Sequence, residues 1–85
     1  MPMKYIMLKL DRGELLPLLF PEFMQHSHMA QSVPATVVSA GRVHVEDGKI
    51  IARGASSSLD VCSREEDSGI IQEYLDGQNV IQQEL

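Results

Sequence analysis

The dipeptide Asp47-Gly48 constrains the fold of this chain more than any other feature of its sequence. It stands between two strand-like runs within residues 37–53, and both of its residues tolerate the positive φ angles that a type I′ hairpin turn requires. A two-residue turn also sets the pairing register, because it leaves neither strand free to slide along the other. The sequence therefore predicts a β-hairpin in the middle of the chain.

This register assigns every residue of the hairpin to one of two faces. The face predicted to join the core is apolar and carries Val43, Val45, Ile50 and Ala52. The face predicted to lie outward carries Arg42, His44, Glu46, Lys49, Ile51 and Arg53. Arg42 falls directly opposite Arg53 on the outward face, and like charges that face each other across strands are destabilising.

The facing arginines have two explanations, and the sequence leaves both open. Either an acidic group neutralises them, most simply from a predicted helix at residues 65–76 or from a neighbouring subunit, or they are kept because they meet an anionic partner. Under the second explanation, the outward face is a contact surface for an acidic protein or a nucleotide. The predicted binding residues are Arg42, His44, Ile51 and Arg53.

The N-terminal third of the chain predicts two strands and a helix. Residues 4–10 alternate with the period of a strand, and Ile6 and Leu8 are expected on its core face. Residues 14–20 form a second strand, which Pro17 restricts to the edge of a sheet because proline cannot donate to the ladder. Pro21 suits the first turn of a helix, so residues 22–31 are predicted to be helical.

The C-terminal third predicts a second helix. Ser63 and Glu66 have the spacing of a capping box, in which each side chain bonds the backbone N–H of the other residue. The helix is expected to begin there and to end at Gly77. We therefore predict the α+β class, with a small antiparallel β-sheet, a central hairpin and two helices packed on one face. Residues 1–77 form a single domain, and residues 78–85 form a polar C-terminal tail.

Composition limits the classes of function. The net charge is -5, and residues 46–85 hold nine of the 12 acidic residues, so nonspecific binding of nucleic acid is not expected. The longest apolar run is too short to span a bilayer, which predicts no membrane insertion. Cys62 is the only cysteine, which suits a reducing cytoplasm and suggests a small packing residue rather than a nucleophile.

Chemical motifs are weak throughout the sequence. His26 and His28 are two residues apart, and on a helix they point away from each other, so no metal site is predicted. The small-residue loop at 53–58 could bind a phosphate through its backbone N–H groups, but this signal is weak because the loop lacks the glycines and the lysine of a P-loop. We predict a non-catalytic protein without a cofactor.

Several short motifs resemble a group of small, mostly uncharacterised proteins encoded by phages and prophages. The motifs cover about half of the chain: Val38-Ser39-Ala40-Gly41, Asp47-Gly48, Ser58-Leu59, Ser63-Arg64, Asp67 and Ile70-Ile71. The chain differs from that pattern at Arg42, where an aromatic residue is usual, and at Glu65, where proline often follows the arginine. The resemblance implies the cytoplasm of a bacterial host and a class that often binds host machinery, including antiviral defence systems.

Two functions are therefore expected. The first is a non-catalytic phage or prophage interaction protein, such as an inhibitor of a host antiviral defence complex, with a host protein as partner and homodimerisation left open. The alternative is a binder of a small anion or nucleotide, through the face that carries Arg42 and Arg53 and through the 53–58 loop.

Overall fold

The computed structural model of the chain describes residues 3–84, with side chains described as far as Gly77. This part of the chain forms six strands and two helices in a mixed α+β arrangement, as predicted. The strands are β1 (Met3–Lys9), β2 (Leu15–Pro21), β3 (Thr36–Glu46), β4 (Lys49–Arg53), β5 (Ala55–Ser56) and β6 (Val61–Cys62). The helices are α1 (His26–Gln31) and α2 (Asp67–Glu84).

The main sheet has four antiparallel strands in the order β2-β1-β3-β4, and β5 and β6 pair as a small second sheet. β1 lies inside the main sheet and is buried on both faces, with Tyr5, Ile6, Met7 and Leu8 each 3% exposed or less. The expectation of a single core face for this strand is therefore wrong. Four consecutive apolar residues indicate a strand covered on both sides, whereas strict alternation indicates a strand with one solvated face.

The two helices lie on opposite faces of the sheet, so the prediction that both pack on one face is wrong. Tyr5 and Met7 point to one face and pack in a cluster with Ile71 of α2. Ile6 and Leu8 point to the other face, in a cluster to which Met29 of α1 belongs. α2 contacts both edge strands, β2 and β4, so it crosses the width of the sheet face on which it lies. Hence the sheet is the middle layer of three.

The central hairpin has the predicted turn and register. Asp47 and Gly48 have φ angles of 52° and 76°, and Val43 pairs with Ala52. Val45 was expected in the core but is 64% exposed, because it lies on the last part of the hairpin before the turn.

The side chains of α2 protect the outer edge of β4. The backbone N–H of Ile50 donates to Gln72 Oε1 at 3.2 Å, and that of Ala52 donates to Ser68 Oγ at 2.9 Å. The other edge strand, β2, contains Pro17 and Pro21, which have no N–H to offer. Both edges are thus poor templates for a further strand.

α1 is shorter than predicted. Pro21 is the last residue of β2, not the first residue of a helix, and α1 begins only at His26. Residues 22–25 form a turn, in which the N–H of Met24 donates to the carbonyl of Pro21 at 3.1 Å. This segment is called the 22–25 turn below.

α2 also differs from its prediction at both ends. The Ser63–Glu66 capping box is wrong: the carboxylate of Asp67 instead accepts the backbone N–H of Arg64 at 3.1 Å, one residue further along the chain. The helix continues through Gly77 to Glu84, because a single glycine inside a helix costs only about 1 kcal/mol. The side chains of the predicted polar tail, residues 78–85, lie outside the described residues. Within residues 3–84, neither helix has the combined length and apolar character needed to cross a membrane.

Candidate functional site

Three basic side chains form a row across the sheet. Lys4 of β1 is the cross-strand partner of Arg42 of β3, and Arg42 is the partner of Arg53 of β4. Cross-strand partners share a face, and this face is the one on which α1 and Ile6 lie. Three cations side by side repel each other, so the fold must offset them. We call Lys4, Arg42 and Arg53 the basic row.

Acidic residues of this chain offset the two arginines, but not from the helix that the sequence indicated. Glu22 lies 3.2 Å from Arg42, and Glu46 lies 3.4 Å from Arg53. His44 is 2.7 Å from the same carboxylate of Glu46, and this hydrogen bond is the main cause that lowers the pKa of Glu46. These pairs are exposed, so each contributes little to stability.

A polar pocket of about 320 Å³ opens beside the basic row. Its wall comes from four separated parts of the chain, namely Lys4, Gln25 with His26, Arg42, and Ala55, Ser56, Ser57 and Ser58. These residues are called the basic pocket below. Of the predicted binding residues, Arg42 and the 55–58 part of the loop meet here. His44, Ile51 and Arg53 do not line this pocket; their role in binding stays a prediction.

The basic pocket offers several hydrogen-bond donors to an anion. The ammonium of Lys4 donates to the carbonyl of Met24 at 3.0 Å, and a lysine has two further N–H donors. The guanidinium of Arg42 has five N–H donors in a planar fork that fits an oxyanion. The hydroxyls of Ser56 and Ser58, which also line the pocket, lie 3.2 Å apart and form a hydrogen bond with each other. The pocket therefore combines two cations with neutral hydroxyl donors.

His26 forms the inner end of the basic pocket and is 7% exposed. Its Nε2 lies 2.9 Å from the carbonyl oxygen of Gly41, which can only accept, so Nε2 carries the hydrogen. The edge of the ring faces Phe20, with ring centres 5.6 Å apart. His28, two residues on, is exposed, and the described residues contain no cluster of three or more metal-ligating side chains.

Gly41 allows the strands around the basic pocket to approach closely. A Cβ at this position would lie 2.5 Å from the carbonyl oxygen of Arg53 and 3.3 Å from the ring of Tyr5. No other residue type fits without moving backbone. Gly54 follows at a φ of +92° and turns the chain back over the sheet, so that the 55–58 segment reaches the pocket.

A buried polar cluster on the opposite face anchors α2 to the sheet. Tyr5 donates to Asp67 Oδ2 at 2.6 Å, and the guanidinium of Arg64 donates to Oδ1 at 3.2 and 3.3 Å. Burial alone would raise the pKa of Asp67, but Ser39, Tyr5 and Arg64 together outweigh it and lower that pKa. The Ser39 hydroxyl is buried beside this cluster, although it makes no hydrogen bond of standard geometry. Because Tyr5, Asp67 and Arg64 satisfy one another, we assign the cluster a structural role.

A second, larger cavity of about 660 Å³ lies on the other side of the 55–57 segment and is mostly apolar. Cys62 and Arg64 line it together with Val38 and Val61. Cys62 is exposed there, so the prediction that it is a packing residue is wrong. The cavity is shallow, and its one charged donor, Arg64, is already bonded to Asp67.

Comparison of the chain with protein-family models, with curated proteins and with solved structures finds no match in any of the three. The function of the basic pocket is therefore inferred from its own geometry. Sequence reasoning missed Lys4, Gln25 and His26, because they become neighbours of Arg42 only through strand pairing and the placement of α1. The position of Lys4 on the same strand face as Ile6 and Leu8 was the one available signal.

Proposed function

We propose that this chain is a non-catalytic binding protein whose basic pocket takes a small oxyanion, such as phosphate or the phosphoryl group of a nucleotide. The observation that supports it most is the placement of Lys4 directly opposite Arg42 at the mouth of one pocket. Two like charges opposite each other destabilise the sheet. An anionic ligand bound to both side chains would neutralise their repulsion, which favours binding.

The hydroxyl groups of the 55–58 segment add to this proposal. Phosphate oxygens accept hydrogen bonds from hydroxyl and cationic donors alike, and contacts to charged donors are about twice as strong as neutral ones. The volume of about 320 Å³ exceeds that of a phosphate ion, so a larger phosphorylated molecule fits with part of its surface in solvent.

Calorimetric titration of the whole chain with inorganic phosphate at low ionic strength tests this proposal. We expect saturable binding that weakens about tenfold in Lys4→Gln and in Arg42→Gln, because a hydrogen bond to a charged group contributes about 1.5–3 kcal/mol. Lys9→Gln is the matched control, since Lys9 lies on the same strand and is exposed outside the pocket. Equal affinity in all four proteins would contradict the proposal.

A second candidate is the interaction protein that the resemblance implies, for example a phage or prophage inhibitor of a host antiviral defence complex. The supporting observation is Phe23, an aromatic residue that is 85% exposed beside the Glu22–Arg42 ion pair. Exposed aromatic and arginine side chains are the residues that most often carry binding energy at protein interfaces. A host protein retained by the wild type and lost in Phe23→Ser would support this candidate; equal retention by both would count against it.

A further inference from the structure

One short segment already holds both cations of the basic pocket. Glu22 Oε1 lies 3.2 Å from Arg42 Nη1, and the carbonyl oxygen of Met24 accepts the ammonium of Lys4 at 3.0 Å. The two acceptors are two residues apart in the 22–25 turn, and the next residue, Gln25, lines the pocket itself. An oxyanion in the pocket would bind the same two side chains, Arg42 and Lys4.

We propose that the 22–25 turn is a built-in competitor of the ligand, with the carboxylate of Glu22 holding Arg42 until an anion displaces it. This inference rests on the proposed function of the basic pocket. Glu22 is a single negative charge on an exposed side chain, and the chemical class that competes best with it is a dianionic phosphoryl group. The apparent affinity of the pocket is then lower than its intrinsic affinity, because Arg42 is free for only part of the time.

The exposure of the turn suits displacement. The side chains of Arg42 and Glu22 are 59% and 43% exposed, and ion pairs of this kind are weak and sensitive to salt. Phe23 is 85% exposed, so its ring does not anchor the turn in the core. Met24 packs against the cluster that contains Ile6, so release of the Glu22 side chain leaves the backbone of the turn, α1 and the sheet in place.

Phosphate titration of Glu22→Gln tests the inference. We expect phosphate to bind the variant roughly two- to fivefold more tightly than the wild type, which is the range that an exposed ion pair contributes. Glu14→Gln is the control, because Glu14 is exposed in the turn between β1 and β2, away from the basic pocket, and should leave the affinity unchanged. Thermal melts of both variants verify that the fold is intact.

The outcomes separate this inference from the function on which it rests. Tighter binding in Glu22→Gln alone supports competition, including the case in which only that variant binds measurably. Equal affinity in Glu22→Gln and the wild type overturns the competitor role but leaves the basic pocket as an anion site. Absence of phosphate binding in every protein overturns both proposals. A tryptophan reporter in Phe23→Trp adds a direct readout of the neighbouring Glu22 side chain: its emission should change with phosphate at the same midpoint as the heat, and a constant emission contradicts displacement of Glu22.

Discussion

The phenolic hydroxyl of Tyr5 donates a 2.6 Å hydrogen bond to Asp67, and both residues are fully buried between the sheet and α2. The two lie 62 positions apart in the sequence, so this bond joins the first strand to the last helix. A buried carboxylate is tolerated only where hydrogen bonds and a counter-charge compensate its desolvation, and here Tyr5 and Arg64 supply them. The stability of the domain should depend strongly on this contact.

Replacement of Asp67 by asparagine should lower the free energy of unfolding by about 1.5–3 kcal/mol, because it removes the charge from the hydrogen bonds to Tyr5 and Arg64. Asp76→Asn is the matched control on the exposed side of the same helix and should change stability by less than about 0.5 kcal/mol. Urea denaturation at neutral pH measures both values. Similar midpoints for the two variants would show that the buried cluster is not an anchor.

Acid should selectively remove the stabilisation that Asp67 provides. Its pKa is lowered in the folded protein, so between that pKa and the ordinary value of 3.8 the unfolded chain binds more protons than the folded one. Stability from Asp67 is therefore complete well above 3.8 and is lost as the pH falls through the lowered pKa. The difference in unfolding free energy between wild type and Asp67→Asn should shrink steadily below pH 3.8, and a constant difference would contradict the assignment.

High pH should destabilise the protein through Tyr5, the other partner of this hydrogen bond, because the pKa of Tyr5 is raised whereas that of Asp67 is lowered. Burial, followed by the hydrogen bond to Asp67, raises the pKa of Tyr5 above its ordinary value of 10.0. Stability from Tyr5 is therefore complete below pH 10.0 and falls above it, where the unfolded chain can ionise this side chain. Tyr5→Phe should be less stable than the wild type at neutral pH and should show a smaller loss of stability as the pH rises past 10.0.

Sequence patterns identified those elements that depend only on residues close together in the chain. The hairpin was predictable to the residue, because its register depends only on the Asp47-Gly48 turn and the two runs beside it. The start of α2 was not predictable from the sequence. It depends on Asp67, whose carboxylate accepts a hydrogen bond from Tyr5, near the other end of the chain. Ser63 and Glu66 satisfied the spacing of a capping box, but this contact with Tyr5 fixes a different residue at the helix start.

The candidate site was predictable only in part, for the same reason. Arg42 and the serine loop were singled out from the hairpin register and from composition. Lys4 and His26 reach the pocket through β1–β3 pairing and through a helix that begins four residues later than its proline signal suggests. Long-range pairing of strands leaves no trace in a local window of sequence, so these neighbours needed the structure.

Gly41 gives a prediction about close packing between β3 and the end of β4. Gly41→Ala should lower the free energy of unfolding by about 1–3 kcal/mol, because the new Cβ would lie 2.5 Å from the carbonyl oxygen of Arg53 and backbone must move. Gly69→Ala is the control in α2, where a Cβ meets nothing within 4 Å, and it should be neutral or stabilising. Thermal melts that rank the two variants in the reverse order would contradict the close approach of β3 and the end of β4.

The anion site itself is tested most directly by amide NMR spectra recorded during titration with inorganic phosphate. We expect saturable shifts confined to Lys4, residues 22–26, Arg42 with its neighbours on β3 and the 55–58 segment, with Lys9 and Lys49 unmoved. In Lys4→Gln the same shifts should require about tenfold more phosphate. Shifts that are absent, or that spread evenly over all basic residues without saturation, would contradict a phosphate site in the basic pocket.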